Sequence, residues 1–174
     1  MPSIGIFGAN GRMGRALVSV AKEHQLPITA ATVRAGSALT GMDAGELAGC
    51  GKLNLPFIET SVAALALADT WIDFTMPDAM LQHLELAVQA KKALVIGVTG
   101  LTDSQYAAVQ QAAKHIPIVW APNMSVGVNL LLHLVQTAAK VMGQTADIEI
   151  IEAHHRFKKD APSGTAMAIG HQIA

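Results

Sequence analysis

From Ser3 to Ala121, short apolar runs of strand length alternate with stretches of helical periodicity, and that alternation restricts the fold more than any other feature. Ser3–Phe7, Ile28–Val33, Trp71–Thr75, Leu94–Gly97 and Ile116–Ala121 read as strands. Between them, Arg12–His24, Pro77–Lys91 and Asp103–Lys114 read as helices, and Val62–Ala68 is helix-prone. Met13, Leu17, Val20 and Ala21 fall on one face of the first helix; Met80, Leu84, Ala87 and Val88 share a side of the second. Residues 34–55 read as loop with a short helical turn. Strands alternating with helices of this length build right-handed βαβ units around a parallel sheet. Runs so evenly apolar fit strands buried on both faces. The expected architecture is α/β: a Rossmann-type doubly wound parallel sheet.

The pattern changes after Asn123. A helix over Gly127–Met142 carries a wide apolar stripe, a strand is expected over Asp147–Ala153, and a last helix opens at Pro162-Ser163-Gly164-Thr165. That strand has nothing nearby to pair with. The expected division is residues 1–124, a dinucleotide-binding domain, and residues 125–174, the start of an α+β substrate and oligomerisation domain that is incomplete. Charged residues make up 14% of the 174, against roughly 25% in an average globular protein. This excludes disorder and leaves apolar surface for a partner subunit. A net charge of −1 argues against binding nucleic acid through its phosphates. The single cysteine, Cys50, excludes an internal disulfide and a four-thiolate zinc site. Apolar runs such as Val62–Ala68 fall far short of the roughly 20 residues that span a bilayer. With no secretory signal after Met1, a soluble, cytoplasmic protein is expected.

Two segments carry chemistry. Gly8-Ala9-Asn10-Gly11-Arg12-Met13-Gly14 lies between a strand and a helix, where glycines let the backbone approach a pyrophosphate at a helix N-terminus. Its spacing is G-x-x-G-x-x-G, which also suits a close-packed turn without a ligand. The second strand ends Thr32-Val33-Arg34, with no carboxylate for the ribose hydroxyls of NAD. Arg34 instead either meets a 2′-phosphate, which favours NADPH, or is a solvated surface arginine. The second segment runs from His154 to Lys159 and on to Ser163-Gly164-Thr165: clustered cations beside a helix start, suited to a small dianion. Cations held side by side weaken one another's hold on a proton, which suits proton donation near neutrality. A solvated basic loop or a nucleic-acid contact would look similar. No metal site is expected, because His154 and His155 would point to opposite faces of an extended chain. His83 and His133 read as packing or surface groups, and Met80 and Met142 as members of core stripes. Thr75-Met76-Pro77-Asp78 ends a strand and starts a helix, at a strand's carboxyl end where it can line a cofactor crevice.

These segments, with Ile72-Asp73-Phe74-Thr75, Ile96-Gly97-Val98-Thr99-Gly100, the run Ala121–Asn129 and above all Glu152–Ala166, resemble the 4-hydroxy-tetrahydrodipicolinate (dihydrodipicolinate) reductases of diaminopimelate and lysine biosynthesis. The resemblance covers the whole chain. It implies NAD(P)H-dependent reduction of a small dicarboxylate heterocycle by a homotetramer; Val33 and Arg34 favour NADPH, with NADH as the alternative. It places Gly8, Ala9, Asn10, Gly11, Arg12 and Met13 around the cofactor and Arg34 at its adenosine end. Gly97, Val98 and Thr99, with Ala121, Pro122, Asn123 and Met124, would line the nicotinamide side. His154 matches the family's proton donor/acceptor and Lys158 its proton donor, while His155, Gly164 and Thr165 match the groups holding the substrate carboxylates. Many members carry an acid where Val33 stands, and members run on well past Ala174, so a chain lacking the family's C-terminal third is expected. The rival expectation is a nucleotide-binding module without turnover, serving assembly or sensing.

Overall fold

The computed structural model describes residues 1–154, 156 and 161–174. They divide into two compact units, Met1–Trp120 and Ala121–Ala174. In the first, strands β1 (Ile4–Phe7), β2 (Ile28–Val33), β3 (Phe57–Glu59), β4 (Thr70–Asp73), β5 (Ala93–Ile96) and β6 (Ile118–Trp120) form one parallel sheet. Its order is β3-β2-β1-β4-β5-β6, so the direction of winding reverses between β1 and β4. Helices α1 (Arg12–Glu23), α2 (Ala44–Leu47), α3 (Val62–Leu65), α4 (Pro77–Ala90) and α5 (Asp103–Ala112) connect the strands.

Successive side chains of a strand point to opposite faces, and both faces are covered. Ile6 packs in a cluster with Val18 of α1 and Ala44 of α2; its neighbour Phe7 belongs to the opposite cluster, with Leu65, Met80, Leu84 and Val109 from α3, α4 and α5. Trp71 is wholly buried against Phe7, and its indole N–H donates to the Leu65 carbonyl at 3.2 Å. The doubly wound sheet expected from the alternation is therefore present.

Several details differ. The three-residue β3 was too short to show a period. In α1 the buried face is Gly14, Val18 and Ala21, while Met13 and Val20 stay 45% and 47% exposed. Hydrophobicity alone selects the larger side chains, but the smallest residue, Gly14, packs directly on the backbone of Gly8 and Ala9. The loop before β3 is organised by Asp43. Its Oδ1 accepts the N–H groups of Gly45, Glu46 and Leu53, and its Oδ2 that of Leu55, at 2.9–3.1 Å.

The second unit holds α6 (Val126–Met142) and α7 (Gly164–Ile173), which pack on each other. Serines cap both: the Ser125 hydroxyl accepts from the Val128 N–H and that of Ser163 from the Ala166 N–H. No residue of α6 is buried, and Met142, expected on a core stripe, is exposed. The strand expected over 147–153 does not form. A strand needs a neighbour to pair its N–H and C=O groups, and the described residues of this unit supply none. Among the described residues, no helix is long and apolar enough to cross a membrane.

Desolvation raises the Asp43 carboxyl, but the N–H groups of Leu53, Glu46, Leu55 and Gly45 together hold it below the usual carboxylate value. Asp69 is lowered in the same way, by the backbone N–H and the hydroxyl of Ser3. A group lowered in the folded state stabilises fully above its unfolded pKa, and this is lost as pH falls through the folded value. Asp43→Asn is therefore expected to be less stable at neutral pH and to lose stability less steeply on acidification, with Asp69 supplying the remaining slope. Urea midpoints between pH 6 and pH 2 would test this, and an unchanged slope would contradict it.

Candidate functional site

The turn from β1 into α1 is built on backbone contact. Gly8 adopts φ +56°, and a side chain there would also meet Thr75 Cγ2 at 2.7 Å. A Cβ on Gly14 would lie 2.5 Å from both Ala9 Cα and the Gly8 carbonyl oxygen, so α1 begins at backbone distance from the strand end. Gly11, the N-cap residue, supplies no side-chain acceptor, and the first turn of α1 contains no acid. The N-terminal N–H groups and the positive end of the helix dipole are thus left for an external anion. Next along the sheet, α4 starts after β4 with Met76 as N-cap, again without a side-chain cap, and with Pro77 in its first turn. The helices starting at Ala44, Val62 and Asp103 are instead closed by Asp43, Ser61 and Thr102. The two uncapped helices flank the switch point between β1 and β4, where open α/β sheets receive ligands.

Beneath this crevice lies a polar network around Asp73, the last residue of β4 and wholly buried. Its Oδ1 accepts the Thr75 N–H at 2.8 Å and the Thr75 hydroxyl at 2.6 Å, and its Oδ2 pairs with His83 Nδ1 at 2.7 Å. The His83 ring stacks on Phe7, with centroids 4.1 Å apart. The network holds Thr75 against Gly8. The Asp73 carbonyl also accepts the Gly97 N–H at 2.8 Å, and a Cβ on Gly97 would collide with the Phe74 ring. Trp120 fixes the following residue, its indole N–H donating to the Val98 carbonyl at 3.1 Å.

The structure therefore brings Gly8–Met13 and Gly97–Thr99 to the carboxyl ends of β1 and β5, two strands of one sheet with β4 between them. Ala9 is buried, and Asn10, Gly11, Arg12 and Met13 are exposed, as is Thr99. Arg34 is exposed directly after β2, whereas Val33 is buried in the core, so the first side chain at that strand end open to a ligand is the arginine. Ala121, Pro122, Asn123 and Met124 belong to the second unit. There the Asn123 side chain accepts the Ser125 N–H at 2.8 Å and shapes the turn into α6.

In the same unit, Glu152 joins two expected site elements. Its Oε2 lies 2.9 Å from His154 Nδ1, and its Oε1 accepts the Ser163 N–H at 2.7 Å, just before Gly164 and Thr165. His155 and Lys158 lie outside the described residues. Among the described residues, no group of three or more His, Cys, Asp or Glu is placed to hold a metal ion.

Comparison with known proteins accounts for both units. Residues 2–124 match the family described as dihydrodipicolinate reductase, N-terminus, and residues 127–174 the one described as dihydrodipicolinate reductase, C-terminus. The chain belongs to the dihydrodipicolinate reductase family. It is 56% identical to the 4-hydroxy-tetrahydrodipicolinate reductase of Pseudoalteromonas atlantica, over all of this chain and 66% of that one. It is 50% identical to that of Acinetobacter baumannii, over 99% of this chain and 63% of that one. Among solved structures it is similar to a dipicolinate-bound dihydrodipicolinate reductase from Paenisporosarcina sp. TG-14, with TM-score 0.69, 27% identity and coverage of 100% of this chain and 66% of that one. The chain thus spans less than two-thirds of the length of the curated relatives it matches.

Sequence reasoning placed Thr75 at the crevice but missed its bonds to Asp73, missed the roles of Asp73, Trp120 and Glu152, and treated His83 as packing or surface. An acid closing a buried strand and a histidine within an apolar helix face were the available signals.

Asp73→Ala leaves the buried His83 Nδ1 and two Thr75 donors without their acceptor. A loss of about 3 kcal/mol or more in unfolding free energy is expected from such uncompensated burial. A urea titration showing less than about 1 kcal/mol would mean that other groups satisfy these donors.

Proposed function

We propose that this protein acts as an NADPH-dependent reductase of 4-hydroxy-tetrahydrodipicolinate, which loses water to give dihydrodipicolinate and takes up a hydride and a proton to form tetrahydrodipicolinate, with residues 1–124 as the dinucleotide domain and residues 125–174 as the start of the substrate domain. The observation that carries this reading is Glu152, one carboxylate holding both His154 and the helix opening at Ser163, within the segment most particular to the family. The solved relative named above holds dipicolinate, a planar dicarboxylate of the same class.

The β1–α1 turn fits a dinucleotide, because its glycines leave a cradle that side chains would fill and its helix start lacks a cap of its own. Gly8, Ala9, Asn10, Gly11, Arg12 and Met13 would surround the pyrophosphate, and Arg34 would meet a 2′-phosphate, preferring NADPH while admitting NADH. Gly97, Val98 and Thr99, together with Ala121, Pro122, Asn123 and Met124, would line the nicotinamide. When bound, the cofactor supplies the hydride. His155 and the N–H groups of Gly164 and Thr165 would neutralise the substrate carboxylates. Lys158, assisted by His154, would deliver the proton to the ring nitrogen that gains negative charge as hydride arrives. As in the family, a homotetramer is proposed; the uncovered apolar residues of α6 supply surface for it.

Loss of absorbance at the NADPH band in the presence of substrate tests the reaction. Lys158→Ala should lower turnover by on the order of 10²-fold or more while leaving NADPH affinity within about threefold, as expected for a group acting only in proton transfer. Equal losses in both would reject that role. Quenching of protein fluorescence by NADPH without turnover would favour a binding module instead.

The arginine at the end of β2 gives a separate test. Arg34→Ala should weaken NADPH binding by about tenfold or more, the worth of a charge-assisted bond to phosphate, and leave NADH nearly unaffected. Calorimetric titrations in which wild-type protein binds both cofactors equally would overturn the preference.

A further inference from the structure

We propose that Glu152 is the positioning residue for His154: its carboxylate fixes the imidazole tautomer that carries its proton on Nδ1 and keeps Nε2 available for proton exchange, and it ties that ring to the start of α7. The inference rests in part on the role proposed above for His154.

An ionised carboxylate only accepts hydrogen bonds. With Glu152 Oε2 2.9 Å from His154 Nδ1, the hydrogen between them sits on the imidazole. A neutral imidazole has one N–H, so Nε2 keeps its lone pair. A proton taken up there leaves the Nδ1–H on the same carboxylate oxygen. The ring can thus gain and lose a proton at Nε2 without moving, as in catalytic sites where a carboxylate orients a histidine.

The second oxygen explains why a carboxylate stands at this place. In a capping box, the residue at the third helical position reaches back to the N-cap N–H. That position in α7 is Ala166, which has no side-chain acceptor, although its own N–H is bonded by the hydroxyl of the N-cap Ser163. Glu152, eleven residues earlier, accepts the Ser163 N–H at 2.7 Å instead. Ser163 is buried, so that donor needs an acceptor from the protein. One side chain therefore holds the helix opening proposed to bind substrate carboxylate and orients the proposed proton carrier beside it.

Glu152→Gln separates the two jobs. The carboxamide oxygen can still accept from Ser163, which leaves the NH₂ facing His154 Nδ1 and favours the opposite tautomer. Histidine ring nitrogens resolved by long-range ¹H–¹⁵N spectra, with His154 assigned by substitution, report this directly. The wild type should show a protonated Nδ1 and bare Nε2, and Glu152→Gln a protonated Nε2, with helicity and NADPH affinity unchanged. Turnover should fall on the order of 10²-fold with KM for the dicarboxylate within about threefold, because general acid–base assistance is lost while binding is kept. A wild-type His154 protonated on Nε2, or a variant with unchanged tautomer and turnover, would overturn the proposal. A tautomer switch in a protein whose wild type reduces no dicarboxylate would uphold the positioning role and reject the activity.

Discussion

The contact between Gly14 and the backbone at Gly8 and Ala9 sets the geometry on which the opening at the switch point of the first unit depends. Because helix and strand meet there without a side chain between them, α1 starts directly at the carboxyl end of β1. Its first turn is then close to the sheet edge and, with Gly11 as N-cap, free of any acceptor of its own. A helix start closed by serine, threonine or aspartate has spent its donors internally. Leaving α1 and α4 uncapped on either side of the switch point keeps donors available where a phosphate would lie.

In each of the two units, carboxylates gather backbone and side-chain donors. Asp73 binds Thr75 and His83 at once, so the floor of the crevice and the start of α4 share a single hydrogen-bonded unit. Asp43 gathers four backbone donors from the loop that leads into β3. Glu152 divides its oxygens between an imidazole and a helix start. Each stands where the chain leaves regular structure and backbone N–H groups lack partners. A carboxylate accepts several such donors more strongly than a neutral group can.

Much of the fold was legible because hydrophobic period reports which faces are buried. β1, β2, β4, β5 and β6 are dense in apolar residues and bounded by glycine, proline or polar turns. β3 is three residues and depends on the loop that Asp43 folds beside it, so no local pattern announced it. The face of α1 was misread because glycine has no hydrophobic signature, yet close packing selects it. At residues 147–153 the alternation was real, but a strand is a property of pairs and no pairing partner lies among the described residues. The candidate site divides in the same way. The glycine turn and the segment from Glu152 to Ala166 were readable as local patterns. The partnerships Asp73–His83, Trp120–Val98 and Glu152–Ser163 join residues 10, 22 and 11 positions apart. Side-chain orientation decides them, and spacing alone carries no record of it.

By itself the sequence determined the alternating α/β order, the glycine turn at the first strand and the family-specific run after Glu152, because each is written in neighbouring residues. Only the tertiary structure decided which donors remain open. The uncapped starts of α1 and α4 come together because β4 pairs with β1 across the switch point, and the Asp73 and Glu152 carboxylates find their partners only once separate elements pack. Hydrogen-bond satisfaction is a balance over residues distant along the chain, and folding is what brings its two sides together.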